Sequence, residues 1–323
     1  VRCFLKVIPQ TSCAATNQTC LCQDSSFFRL VEPCVSVNCT IKEALVTKNM
    51  ISKRCNLPKI DESDKLIHIN LLIILPTIAI IMRMIVKLQR WSAWGPDDST
   101  IVPAYVLRIV FVPMNIFSER SGAGRDIWTL SFDQVNNFFL IFYISQALYY
   151  VSLALTKASI LFMFLRIFPG DIVQLALWGT QAVNLMICLA CVFAGLFQCH
   201  PLSLAWQFWS RDHPGHCTNR PKLALSHGLL NVALDVWMLI LPALQIWRLN
   251  MKWRQKLGVM SIFCMGGGGG GGLTFASAYR VYALLDNTYK SKNITVDSLP
   301  TALWSNIEIC VGIFTACIPS MRQ

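Results

Sequence analysis

The alternation of apolar and polar positions changes character near Leu66. Residues 1–65 mix charged, polar and apolar side chains in short runs. Beyond them, long apolar stretches recur to the C-terminus, separated by short polar pieces. A helix that crosses the hydrocarbon core needs about 20 mostly apolar residues. Seven segments approach or exceed that length: 66–88, 100–117, 136–167, 172–197, 223–247, 257–285 and 299–319. The pattern predicts a membrane all-α fold, a seven-transmembrane helix bundle over residues 66–320. A small N-terminal disulfide-rich helical extracellular domain over residues 1–60 precedes it.

Orientation follows from three signals. With the N-terminus outside, the most basic stretch, from Arg248 through Lys252 and Arg254 to Lys256, falls in the third cytoplasmic loop. Lys87, Arg90, Arg166 and Arg322 fall on the same side, as the positive-inside bias requires. The three Asn-x-Ser/Thr sequons, at Asn17, Asn38 and Asn293, all fall outside, where glycosylation occurs. Seven of the 14 cysteines precede Leu57, which suits an oxidising exterior. The expected location is the plasma membrane, with the C-terminus cytoplasmic. The chain begins at Val1 without a secretory signal and stops at Gln323 just after an apolar helix, so both ends read as trimmed.

Composition adds one decision. Only 14% of residues are charged, against about a quarter in soluble domains. The net charge of +11 is then the inside bias and not a nucleic-acid face, since no basic recognition motif accompanies it. Neither a Ser-His-Asp motif, a His-x-x-x-His pair nor a phosphate loop is present, which argues against an enzyme. The glycine run at 266–272 lacks the Lys-Ser/Thr of a phosphate loop. Seven consecutive glycines each weaken a helix by about 1 kcal/mol relative to alanine, so a bend or loosened helix is expected there.

Cysteines at 3, 13, 20, 22, 34, 39 and 55 occupy a stretch too small to hold together on an apolar core alone, so Cys3, Cys13, Cys20, Cys22, Cys34, Cys39 and Cys55 read as disulfide staples. Their odd count leaves one thiol over, either free or paired with a cysteine upstream of Val1. The spacing Cys3-x9-Cys13-x6-Cys20-Leu-Cys22-x11-Cys34-x4-Cys39-x15-Cys55 resembles the fungal CFEM domain, an eight-cysteine extracellular module whose first cysteine falls before Val1. Some CFEM domains bind haem through an Asp just before the Cys-x-Cys pair. Asn17 stands at that place here, so no cofactor is expected and a contact or sensing scaffold is the preferred role.

The later segments resemble the fungal receptors that join a CFEM module to seven helices, the appressorium-type surface-sensing group. The resemblance is carried by Trp91-Ser-Ala-Trp94-Gly95-Pro96-Asp97-Asp98, Ile127-Trp128, Lys157-Ala-Ser159, Leu165-Arg166-Ile167-Phe168, Gln198-Cys199-His-Pro201, Asp235 with Leu241-Pro242, Trp304-Ser-Asn-Ile-Glu308 and Cys317-Ile-Pro319. It implies a cell-surface receptor for an external or host-surface cue, coupled to a cytoplasmic heterotrimeric G protein. A transporter or channel with an extracellular module is the alternative, and the ligand is unidentified.

Ionisable side chains within a membrane are costly and usually face the bundle interior. Arg108, Asp235, Arg280 and Glu308 lie inside predicted spans, and the depths suggest the pairs Arg280–Glu308 and Asp235–Arg108. These pairs either fix helix packing or line a ligand cavity or polar switch, to which Tyr143, Gln146, His227 and Asn231 contribute. Asp97 and Asp98 open the second helix as caps or as contacts for a cytoplasmic partner. Together with Arg166, Arg248, Lys252, Arg254 and Lys256 they form the candidate coupling surface. Cys199 and Cys217 are expected to form a loop disulfide. Cys188, Cys191, Cys264, Cys310 and Cys317 read as buried fillers, with lipidation of Cys317 the alternative.

Overall fold

The computed structural model describes residues 2–14, 16–89, 93–212, 214–248, 269–290 and 293–318. The N-terminal domain is four short helices: α1 (Arg2–Val7), α2 (Gln18–Gln23), α3 (Ser25–Asn38) and α4 (Ile41–Arg54). Their starts are encoded locally. Asn17 accepts a hydrogen bond from the Cys20 N–H and Asp24 from the Ser26 N–H. Thr40 and Glu43 exchange bonds in a capping box. The hydrogen bonds from Thr40 hold the Glu43 carboxyl below its ordinary pKa.

Cys3, Val7, Phe27, Val31 and Val35 make a core of one side chain per turn or so, far too small to be self-sufficient. Disulfides Cys3–Cys34, Cys13–Cys20 and Cys22–Cys55 close it. Cys39 was expected among the staples and is instead a free, half-buried thiol at the end of α3. The odd count already left one thiol over, and among the described residues it is Cys39, while the other six pair with one another.

Among the described residues, six helical stretches are long and apolar enough to cross a membrane. The first is α5 (Asp64–Leu71) continued by α6 (Ile74–Leu88); then come α7 (Pro96–Arg120), α8 (Phe132–Ile167) and α9 (Asp171–Leu196). A short outer segment holds strands β1 (Cys199–His200) and β2 (His216–Cys217) around α10 (Leu204–Gln207). Helices α11 (Arg220–Arg248), α12 (Gly269–Lys290), α13 (Ile294–Asp297) and α14 (Leu299–Cys317) complete the bundle. The predicted sixth span enters the description only at Gly269, since residues 249–268 lie outside the described residues. Gly269–Gly272 continue into α12 as regular helix, so the expected bend does not fall on those four glycines.

The 36 residues of α8 give a length of about 54 Å at 1.5 Å per residue, well beyond a hydrocarbon core of about 30 Å. This central helix packs against α7, α9, α10 and α14. Large apolar side chains such as Leu175, Met186, Phe193, Leu229 and Tyr282 remain exposed on the bundle exterior, which suits a lipid surround. The interior, by contrast, buries many polar groups, Arg83, Arg108, Lys157, Asp235, Arg280 and Glu308 among them.

The small domain is clamped onto one end of the bundle, here termed the domain side. Lys42 pairs with Asp212 at 2.5 Å, Lys48 lies 4.0 Å above the Trp128 ring, and Ile60 donates its N–H to Asp126. The Glu62 N–H donates to the Gly124 carbonyl at 2.8 Å. Gly124 is required there: its φ is +86°, and a Cβ would lie 2.8 Å from the Ser63 nitrogen. Disulfide Cys199–Cys217 ties the β1–β2 pair beside this junction.

Candidate functional site

A cavity of about 670 Å³ opens beneath the small domain and runs into the bundle. Ile41 and Leu45 of α4 form part of its roof, and Phe111, Phe138, Phe139 and Phe142 part of its wall. Its inner end is polar, lined by Gln146, Tyr149, Tyr150, Arg280, Ser305 and Asn306. The volume falls in the range of about 300–1,000 Å³ typical of small-ligand pockets. Three- and four-residue offsets from Gln146 to Tyr149 and Tyr150 on α8, and four-residue offsets from Thr301 to Ser305 and from Ala302 to Asn306 on α14, put these groups on one face of each helix.

Beyond that polar end lies a closed hydrogen-bonded network. Glu308, fully buried on α14, accepts from the Tyr149 hydroxyl and from Asn231 Nδ2 at 2.5 Å. Ser277 Oγ lies 2.5 Å from Glu308 Oε1 and 2.7 Å from Asp235 Oδ2, so one hydroxyl proton serves two carboxylates in turn. Lys157 of α8 pairs with Asp235 at 2.9 Å and donates to the Asn231 carbonyl at 2.9 Å. Arg280 donates from Nε to Ser305 Oγ at 2.9 Å and lies 4.3 Å over the Tyr149 ring. His227 packs against Tyr150, with ring centroids 4.2 Å apart. Tyr143 donates to the Leu196 carbonyl at 2.8 Å, and Gln146 to the Tyr150 hydroxyl at 2.7 Å.

Both predicted ion pairs therefore need correction. Asp235 takes Lys157, not Arg108, because α11 faces α8 at this level. Arg108 points between α5 and α14, donating to the Ile69 carbonyl and to Cys310 Sγ, both at 3.2 Å. Arg280 and Glu308 share Tyr149 instead of a direct contact. No carboxylate lies within ion-pair distance of Arg280 among the described residues. The eight predicted cavity or switch residues otherwise assemble well, with Arg108 alone standing apart. Sequence reasoning missed Lys157, Tyr149 and Ser277. Lys157 carried the same signal as Asp235, a charge within a predicted span.

At the opposite end a second ionic cluster joins three helices. Arg83 of α6 bonds Asp97, pairs with Asp98 at 2.7 Å and donates to the Ala316 carbonyl of α14 at 2.6 Å. Lys87 pairs with Asp98 at 2.9 Å, and Asp98 also accepts the Gly95 N–H. Ser159 of α8 donates to the Asp97 carbonyl. Asp97 and Asp98 were read as helix caps or as contacts for a partner: Asp98 does cap α7 through the Gly95 N–H, and both are buried against Arg83, which went unremarked in the sequence. Arg166 is exposed and reaches the Ala93 carbonyl at 3.4 Å. Arg248 ends α11, and Lys252, Arg254 and Lys256 lie outside the described residues.

The remaining predicted positions divide in the same way. Asn17 and Asn38 are exposed. Asn293 is buried: its Nδ2 donates to Asp126 at 2.8 Å and its Oδ1 accepts from the Ile127 N–H at 3.1 Å. Buried to this degree, the amide leaves no open space for a glycan in this fold, so the third sequon is reassigned to a structural role. Cys191, Cys310 and Cys317 are buried and Cys188 half-buried, with Cys264 outside the described residues. Complete burial takes Cys317 out of reach of lipidation in this conformation.

Comparison with known proteins matches this architecture. The fungal rhodopsin domain family matches residues 82–323, and the CFEM domain matches residues 1–56. A SAT4 family membrane protein of Emericella nidulans is 31% identical over 235 residues, covering 71% of this chain and 56% of its own. Receptor GIN3 of Arthrobotrys oligospora is 23% identical over 229 residues, covering 70% of this chain and 53% of its own. The polyenoic acids biosynthesis gene cluster protein Ba17b of Metarhizium anisopliae is 23% identical over 175 residues, covering 51% of this chain and 46% of its own. The chain thus spans about half the length of these relatives. No solved structure matches it. Transmembrane helices with a buried polar interior, behind a disulfide-stapled CFEM domain, place the chain in the fungal rhodopsin domain family.

Proposed function

We propose that the protein is a cell-surface receptor that takes a small external ligand in its domain-side cavity and signals through a heterotrimeric G protein. The domain side then faces outward at the plasma membrane, with Asn17 and Asn38 available to carry glycans. The observation that carries this reading is the arrangement of α14. Ser305 and Asn306 line the cavity, Glu308 sits in the central network, and the Ala316 carbonyl receives Arg83 at the far end. A ligand pressing on the cavity end of this helix bears on the interhelical contacts at its other end. The kinship with Receptor GIN3 favours the same reading. The name of the Metarhizium relative, tied to polyenoic acids, suits a protein that meets small apolar molecules. No enzymatic step is assigned. The CFEM domain acts as a roof without haem, since Asn17 is committed to capping α2.

The test is nucleotide exchange on Gα subunits, with the full chain in lipid nanodiscs. A rate above that of empty discs, lost when the basic charges from Arg248 to Lys256 are neutralised, is expected. Solute or ion flux through the protein, with no acceleration of any Gα, would overturn the receptor reading in favour of a transporter.

A further inference from the structure

The cavity has a charge asymmetry that goes beyond its being a pocket. Among the described residues, three that line it are charged, and all three are arginines: Arg211, Arg220 and Arg280. No Asp or Glu among the described residues lines it. Two of the arginines sit at the outer rim. Arg211 is exposed, and Arg220 is already engaged, lying 3.7 Å over the Phe208 ring and donating to the Ala205 carbonyl. Arg280 differs from both. It is only 6% exposed, its Nε is held by Ser305, and its plane is supported on Tyr149. The nearby Glu308 is served instead by Tyr149, Asn231 and Ser277.

An arginine fixed at Nε and on one face is a preorganised fork, and a planar carboxylate fits such a fork with two parallel bonds. In a site walled by phenylalanines the electrostatic attraction is far stronger than in water. A neutral apolar ligand leaves the guanidinium unmatched, whereas a phosphate monoester, with about two negative charges, exceeds what one buried cation balances. We infer that the cavity binds an amphipathic organic acid, its carboxylate on Arg280 and its apolar body along Phe111, Phe138 and Phe142. Ile41 and Leu45 of the small domain cover the body near the mouth. This deepens the receptor reading and shares its cavity, but it is testable without any G protein.

The experiment uses the full chain in nanodiscs and cis-parinaric acid as the probe, followed by energy transfer from tryptophan after subtraction of empty discs. The acid is expected to bind saturably and its methyl ester at least tenfold more weakly. Arg280→Gln should bring the acid down to the affinity of the ester and leave the ester unchanged, while Arg280→Lys should retain part of the difference. Equal binding of acid and ester to the unaltered protein would overturn the inference, and that comparison needs no variant to fold. Dodecyl phosphate displacing the probe more tightly than lauric acid would overturn the choice of head group. Binding of the acid without nucleotide exchange would leave the inference standing and sink the receptor reading. Exchange without binding would sink the inference alone. Extraction of acids from the purified protein separates a resident bilayer-derived acid from an external one; either source is consistent with the site.

Discussion

Removing Lys157 is the sharpest perturbation of the central network. Lys157, Asn231 and Asp235 are each at most 4% exposed, and Lys157 supplies the only ion pair that Asp235 makes among the described residues. Lys157 is the cation that matches Asp235 directly, whereas Arg280 and Glu308 make no direct pair. Lys157→Met leaves one negative charge unmatched in a desolvated site. Breaking a buried pair from one side costs about 3–5 kcal/mol. Asp235→Leu strands the ammonium and costs a similar amount. Removing both together leaves no stranded charge, and an apolar replacement of a buried pair is often neutral. What remains is the loss of an acceptor near Asn231 and Ser277, about 1–3 kcal/mol.

The double variant should therefore lose less than the sum of the singles by about 3 kcal/mol or more. Reversible unfolding in mixed micelles, driven by increasing dodecyl sulfate, measures all four species on one scale. Singles within about 1 kcal/mol of the parent, or a double equal to their sum, would refute the reasoning. Either result would mean that water reaches the pair and screens it.

Three further perturbations address other parts of the molecule. Replacing Cys199 and Cys217 by Ala opens a disulfide of sequence separation 18 and should cost about 3 kcal/mol, read as a fall in thermal midpoint that reductant reproduces in the parent. Asn17→Gln and Asn38→Gln should each remove a glycosidase-sensitive mass increment. Asn293→Gln should leave the glycan mass unchanged but lower stability by about 1–3 kcal/mol, because Asp126 and the Ile127 N–H lose their partner. Glu43 has a depressed folded carboxyl pKa, so its contribution is present above the unfolded value of about 4.3 and is lost as pH falls through the folded value. The gap in thermal midpoint between the parent and Glu43→Gln should be open near neutrality and close in acid; a gap independent of pH would refute the cap.

The parts legible in the sequence were those set by local or one-dimensional rules. Apolar length located six spans among the described residues, cysteine density gave the stapled domain, and burial cost singled out Asp235, Arg280 and Glu308. Partner choice was not legible, because it depends on how each helix is rotated about its axis. Depth alone put Arg108 opposite Asp235, yet the two side chains leave their helices toward different neighbours. Arg83 and Lys157 could have been found by the same burial argument, since both are charges within long apolar runs. Asn293 misled for the opposite reason. Its motif is read by a local rule, but its burial is set by Asp126, 167 residues earlier.

The division of labour among the helices follows from these contacts. Ser305 to Glu308 is three residues and Glu308 to Ala316 eight, about 4.5 Å and 12 Å along α14. Within that length the helix meets Arg280 at the cavity, Tyr149 and Asn231 at the centre, and Arg83 at the far end. Between them, Cys310 receives Arg108. Each of these is a directional bond to a different neighbouring helix, so a rotation of α14 strains all of them together, and small displacements are not absorbed one contact at a time. Gly312 allows a close approach on this path, since a Cβ there would lie 2.8 Å from the Thr156 methyl of α8. The two central helices are thus pressed together between the cavity and the Arg83 cluster. Under the receptor reading, this close contact flanked by polar bonds is the continuous physical link between the two ends, and coupling through it is what the nucleotide-exchange assay would have to demonstrate.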